Sequence, residues 1–559
     1  MSLSIQDAGS VTNVCVDRRT VISRCKMATN FDAVASIRDK SRRASVGLLT
    51  VAVGLLFADI WEWQDVLVFC GFPVFVGHRR RIRAMGVVSL YTISFPPFYV
   101  PAWWICLRPM IWMWRDESLE LPLYRVVSEA TVISAASCWL TTGFIREGLP
   151  SLGWLLQAVG CFVFSLQFLA IAVVIRLCRR QSVVIAAALS AVTAVSGELL
   201  EAWLGISWSV SNMALTVGGT PLAQWSRWIT PFGVAGILYF VNFLLVLENS
   251  TSTVRRWCGP LVGVGVLASA WCGGELISAN TSIAPLPFSV LLVQPHLKVA
   301  DKEPWRPWLS LDHLTNAALL ERQNVDLIVW PESCLTESWC DDQQGGTSDI
   351  SVQLTVQDFS RRLTPGYKTN CLVGVVMNER GTTQRYGLEV VEVRRYNCGC
   401  LVSKSGEIFR HEKLDLVPFK EGLPGILDTE WIRNRVLPGL QLNRQLHYGR
   451  RYAPLSFTDS DGDQHSIAVS VCYESFLPWL PQYRESANAD AIVHILYDGN
   501  TAAHPGLIQR QILACQLRAI ETRKWNLVCS TWTGTAIIDP TGKIVRQLPP
   551  VADVLRTDM

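Results

Sequence analysis

The sequence predicts a polytopic α-helical membrane domain followed by an α/β domain. Three observations predict it. Half of the 559 residues are hydrophobic and only 17% are charged, against roughly a quarter in an average soluble chain. Long apolar segments recur up to about residue 277 and then stop. Beyond residue 285, short apolar runs alternate with helical stretches, as buried strands do in an α/β fold.

The bulk numbers exclude some classes. A chain this long holds two or more units, and its 22 tryptophans suit a membrane protein with a soluble part. The net charge of +3 is too small to argue for a nucleic-acid partner. No cysteine pair has zinc-ligand spacing with matching histidines, so neither a metal nor another cofactor is expected. Cys398 and Cys400 form a C-x-C, which reads as a redox site or, preferably, as two strand residues on one face. The first forty residues are polar and mixed in charge, so no cleavable signal peptide is expected.

In the membrane half, candidate spans lie near 44–60, 62–77, 84–99, 101–114, 126–144, 152–178, 182–204, 230–247 and 258–277, about nine in all. Several are shorter than the roughly 20 residues a crossing helix needs. Basic groups stand at 38–43, 78–83, 176–180 and 253–256, separated by two, four and two spans. All four therefore fit on one side, the cytoplasmic one, and the last span carries residues beyond 280 to the other side. The expected organisation is a cytoplasmic segment 1–43, a membrane domain 44–277 and a domain 285–559 outside the cytoplasm. Glu198 and Glu201 lie in or beside a span, where a carboxylate is costly. They read either as functional groups or as residues of the membrane boundary.

In the second half, "FSVLLVQ", "VDLIVWPE", "CLVGVV", "SIAVSVCYE", "AIVHILYD" and "WNLVCST" read as buried strands. Residues 504–525 read as a helix with Ile508, Ile512, Cys515 and Ala519 on one face. "AIIDPTGKIV", 536–545, reads as a hairpin. Reactive groups in α/β folds gather at the C-terminal ends of strands. Glu332 ends "DLIVWPE", Lys413 follows the strand-like "GEIFRHEK", and Cys472 ends "SIAVSVC". Singly, each has a bland reading: a surface cap, a solvated lysine, a small core hydrophobe. Together they can form a thiol acyl-transfer site of carboxylate base, oxyanion-stabilising ammonium and thiolate nucleophile.

These residues sit in "WPES" (330–333), "KLDLVPFKEGLPG" (413–425) and "VCYES" (471–475). The set resembles the glutamate, lysine and cysteine motifs of the nitrilase, or carbon–nitrogen hydrolase, superfamily. The resemblance implies an α-β-β-α sandwich. It also implies Glu332 as general base, Lys413 as oxyanion stabiliser and Cys472 as nucleophile. Glu421 would be an auxiliary acid that orients the lysine or the proton, and Glu474 would support the cysteine turn rather than act as the base. "SFPPFYVPAWWICL" (94–107), residues 219–245, "LLVQPHLK" (291–298) and residues 517–544 are similar to segments of the apolipoprotein N-acyltransferase branch.

That branch implies a bacterial inner-membrane enzyme with a periplasmic catalytic domain, a phospholipid acyl donor and a lipoprotein amine as acceptor. A membrane-tethered amidase or hydrolase remains an alternative, as does a specialised relative such as the nitrilase-like membrane proteins of plasmid conjugation systems. Several positions depart from the branch's pattern. Of its Asn-Asp-x-Trp-Phe-Gly loop only Asp498 is kept, with Tyr497 before it. Trp532 and Thr533 stand before Gly534 where it has Asn-Asn-Gly, and Lys420 replaces a glycine. A further hairpin at 44–77 precedes the similar region, and the branch's closing transmembrane helix is not expected, since the chain stops at Met559.

Overall fold

The computed structural model describes Val88 and residues 122–141, 153–178, 180–203, 212–245, 253–297, 306–321, 325–334, 339–340, 368–385, 388–418, 420–423, 429–435, 446–450, 452–478, 483, 488–498, 505–549 and 551–556. The chain divides into two compact units, 1–71 and 72–559, and the described residues belong to the second. The spans expected at 44–60, 62–77 and 101–114, and all but Val88 of that at 84–99, lie outside them.

Among the described residues five long helices precede the sheets: α1 (Leu123–Thr141), α2 (Gly153–Leu177), α3 (Val183–Trp203), α4 (Ser226–Leu244) and α5 (Thr253–Ala279). Among the described residues four stretches are long and apolar enough to cross a membrane: Gly153–Leu177, Val183–Ala202, Pro221–Leu244 and Trp257–Ala279. The span expected at 126–144 is helical as α1, but it is not one of the four; Arg125, Ser128, Glu129 and Thr131 make its first turns polar. On α2, Leu155, Val159, Phe162 and Leu166 form an exposed apolar stripe at helical spacing. Such a stripe suits hydrocarbon and would be a liability in water. Buried glutamines join the helices: Gln157 Nε2 donates to the Trp139 carbonyl at 2.9 Å, and Gln167 Nε2 to that of Ala194 at 2.8 Å. Where water is absent, each such amide must find its partner on a neighbouring helix.

The second half is the expected α-β-β-α sandwich. The first sheet has the strand order β13-β1-β2-β4-β5-β6, with β3 (Trp339–Cys340) paired to β4. Its strands are β1 (Val290–Gln294), β2 (Leu327–Val329), β4 (Asn370–Arg385), β5 (Leu388–Val402), β6 (Ile408–Glu412) and β13 (Asp553–Arg556). The second sheet runs β12-β11-β10-β9-β8-β7, from β7 (Leu455–Thr458), β8 (Gln464–Val471), β9 (Ala491–Leu496), β10 (Trp525–Ser530), β11 (Ala536–Ile538) and β12 (Ile544–Gln547). Helix α6 (Arg306–Glu321) covers the first sheet and α7 (Pro505–Thr522) the second.

Strands β1, β2, β9, β10 and β11 are largely apolar because both of their faces are buried. Val290 and Leu292 of β1 share the core between the sheets with Leu527 and Cys529 of β10, while Leu291 and Val293 face Leu311 of α6. Cys398 and Cys400 share the helix-facing side of β5, as strand residues two apart must. Ile512, Cys515 and Ala519 of α7 lie against Leu496, Val528 and Ile538.

The helical half is fastened to the sandwich by two 3-10 turns, Met213–Val217 and Pro221–Trp225. Gln224 Nε2 donates to the Thr541 carbonyl at 2.7 Å, and Arg523 donates to Gln224 Oε1 at 2.9 Å. Trp225 Nε1 donates to the Ala270 carbonyl of α5 at 2.7 Å. Helix α5 approaches so closely that a Cβ at Gly274 would meet the Pro221 carbonyl oxygen at 2.0 Å. Gly274→Ala is therefore expected to lower the thermal midpoint of the protein in detergent by the equivalent of about 1–3 kcal/mol, as overpacking against backbone does; an unchanged midpoint would contradict this seam.

Candidate active site

Parallel pairing of β1 with β2 and of β8 with β9 and β10 brings these strand ends to one edge. Cys472 follows β8 directly, Lys413 follows β6 directly, and Glu332 stands three residues beyond β2. The structure brings all three together. Lys413 Nζ, with its side chain fully buried, lies 2.8 Å from Glu421 Oε2 and 3.6 Å from Glu332 Oε1. The Cys472 thiol adjoins the Glu332 carboxyl, whose buried Oε2 has no hydrogen-bond partner among the described residues.

Local backbone fixes each group. Cys472 has φ of 50° and Ser333, beside Glu332, has φ of 48°, both in the left-handed region that side chains seldom adopt. The Cys472 carbonyl accepts from Gln511 Nε2 of α7 at 3.0 Å and from Ser475 Oγ at 2.9 Å, which holds the turn. Gly374 of β4 lies directly under the glutamate turn. A Cβ there would meet Glu332 Cα at 2.4 Å, so only glycine lets the turn sit this low. The Lys413 amide donates to the Asn397 carbonyl at 2.8 Å, continuing the ladder one residue past β6.

Glu474 braces the cysteine turn against the lysine segment. Its carboxylate accepts from the amides of Val471 at 2.7 Å and Leu414 at 2.6 Å, and His411 Nε2 lies 3.4 Å away. Asn397 of β5 was not among the expected site residues. Its Nδ2 donates to Glu332 Oε1 at 2.7 Å and reaches Glu421 Oε1 at 3.3 Å. Glu198, in the helical half, accepts from Asn212 Nδ2 at 2.8 Å and from the Tyr239 hydroxyl at 3.3 Å.

The electrostatics separate the two carboxylates. Burial raises the pKa of Glu332, and the Glu421 charge adds to it, against the opposing pull of Lys413 and the Asn397 hydrogen bond. Burial also works against ionised Glu421, but contact with Lys413 outweighs it and holds Glu421 below its ordinary value. Burial disfavours the Lys413 ammonium, yet the two carboxylates overcome this and raise its pKa. Burial, with the Glu332 charge, pushes the Cys472 thiol up to about 12. Two carboxylates driven apart in this way divide the roles of counter-ion and proton acceptor. Glu421 stays charged to balance the lysine, and Glu332 is the carboxylate able to take the thiol proton.

The sign of the pH dependence follows. Glu332 accepts a proton only when ionised, so reactivity at Cys472 is present above its raised pKa and is lost as pH falls through it. Asn397→Leu removes a donor that favours the ionised form. The acid limb of Cys472 alkylation by iodoacetamide should therefore move to higher pH in this variant. A limb that stayed in place, or moved down, would remove Glu332 from the role of base.

Residues 292–559 match the carbon–nitrogen hydrolase family. Apolipoprotein N-acyltransferase 2 of Treponema denticola is 25% identical over 256 residues, 44% of this chain and 45% of that protein. The apolipoprotein N-acyltransferase of Pseudomonas aeruginosa is 26% identical over 366 residues, 63% of each. That of Rhodopseudomonas palustris is 25% identical over 517 residues, 84% of this chain and 88% of the relative. The chain thus spans about half to two thirds of the length of the first two relatives. Among solved structures, Saccharomyces cerevisiae Nit3, of the nitrilase superfamily, aligns over 49% of this chain and 92% of its own, with 15% identity and a TM-score of 0.34. The chain thus resembles the carbon–nitrogen hydrolase family over residues 292–559 and is similar to the apolipoprotein N-acyltransferases.

Proposed function

We propose that the protein is a membrane-bound, thiol-dependent N-acyltransferase. It moves an acyl chain from a phospholipid through a Cys472 thioester to an amine, the N-terminus of a lipoprotein. The observation that carries this reading is the buried cluster of Glu332, Lys413, Glu421 and Cys472 in one compact unit with helices suited to lipid. A phospholipid donor gives those helices a purpose that a soluble substrate would not. The names of the relatives supply the acceptor class.

Glu332 removes the thiol proton as the sulfur attacks the ester carbonyl, and the oxyanion that forms is stabilised by the Lys413 ammonium. Collapse expels the lysophospholipid alkoxide, which takes the proton from Glu332 and leaves the thioester. An amine then attacks the thioester carbonyl. Glu332 accepts the amine's proton and returns it to the departing thiolate, so the protein ends unchanged. Neither a metal nor another cofactor takes part. In this reading residues 1–43 are cytoplasmic, 44–277 form a multi-pass inner-membrane domain, and 285–559 act in the periplasm.

Mass spectrometry of the protein purified with phospholipid tests this directly. An acyl adduct on Cys472 should accumulate, and a diacylated lipopeptide should discharge it into a triacylated product. Cys472→Ala should abolish turnover, a loss of at least about 10⁴-fold. Turnover of small amides through Cys472, with neither adduct nor lipopeptide acylation, would favour the amidase reading instead.

A further inference from the structure

Cys472 and Ser333 are not the only strained residues at this edge of the sandwich. His296, two residues beyond β1, has φ of 53°. Such conformations persist where their surroundings over-determine them, and they cluster at functional sites. What holds His296 is Trp532. The two rings stack with centroids 3.7 Å apart and planes 15° from parallel, and His296 Nδ1 donates to the Trp532 carbonyl at 3.0 Å. The next residue, Leu297, donates its amide to the Thr531 carbonyl at 3.0 Å.

Trp532 is in turn fixed by Asp498. That carboxylate accepts from the amides of Trp532 at 2.7 Å and Thr533 at 3.1 Å and from Thr531 Oγ1 at 3.0 Å. Asp498 follows Tyr497, whose amide bonds to the Cys472 sulfur and whose ring is close enough to Glu332 to feel its charge. The stacked pair is therefore tied, through one short segment, to the atoms around the thiol. By the order β10-β9-β8, Trp532 stands two strands from Cys472, about 10 Å away. His296 and Trp532 are both half-buried. An apolar plate at that distance meets hydrocarbon several methylenes beyond a carbonyl carbon held at Cys472.

We propose that the His296–Trp532 pair is the wall that selects the acyl chain, a specificity element that deepens the acyl-transfer reading and rests on it. Two p-nitrophenyl esters, acetate and decanoate, serve as probes with the full-length protein in detergent, and the burst of p-nitrophenolate reports acylation of Cys472. Trp532→Asn should lower the decanoate-to-acetate rate ratio roughly tenfold, the scale of lost apolar pocket contacts, and His296→Ala should do the same by freeing the indole. Trp532→Phe, which keeps an aromatic face, should retain most of the ratio. A burst in which Trp532→Asn leaves the ratio unchanged, or lowers both rates equally, would overturn the wall while leaving acyl transfer intact. No burst from the unaltered protein with either ester would overturn the acyl-transfer reading and the wall with it.

Discussion

A lysine ammonium with no exposure to solvent, held by two carboxylates, is the constraint on which the rest of the site depends. An unpaired charge in that position would cost several kcal/mol. Glu421 meets the cost by close contact and remains ionised. Glu332, further from the ammonium and equally enclosed, keeps a proton more readily than an ordinary carboxylate. The thiol rests neutral because the same burial, with the Glu332 charge beside it, disfavours the thiolate. In the proposed reading the thiol becomes a nucleophile at the moment of attack, its proton moving a short distance to the buried Glu332.

The fold serves that constraint. Ends of parallel strands in two sheets place Glu332 and Cys472, the end of the antiparallel strand β6 places Lys413, and glycine at position 374 lets the glutamate turn lie against β4. The cysteine turn is fixed from two sides, by Gln511 of α7 and by Glu474, which also grips the lysine segment at Leu414. Helix α7 rests on the turns of the helical half: a Cβ at Gly218 would meet the Leu513 carbonyl oxygen at 2.9 Å. Cys472 is therefore two packed layers from the lipid-suited helices, a short path for the lipid donor proposed above.

Much of this was legible in the sequence because the signals are local. Glu332 and Cys472 each end an apolar run, Lys413 follows a strand-like one, and strand ends are where α/β folds keep their chemistry. The inward face of α7 was readable from helical spacing. Asn397 was not legible, since a lone polar residue inside a strand has no local mark, and its role arises only when β5 lies beside the glutamate turn. The stack of His296 on Trp532 joins residues 236 positions apart, and the left-handed backbone at His296 leaves no trace in composition. Short strands such as β3, β7 and β13 owe their form to the neighbours they pair with rather than to their own residues.

A double-mutant cycle on Lys413→Met and Glu421→Gln, followed by thermal unfolding in detergent, tests the central claim most directly. Each single change strands a buried charge, and the double change removes both partners together. The account predicts that the double variant is more stable than the sum of the single losses by about 1–3 kcal/mol, the range for residues that share one buried network. Additive losses would contradict it, because they would mean that Lys413 and Glu421 do not hold each other's charge.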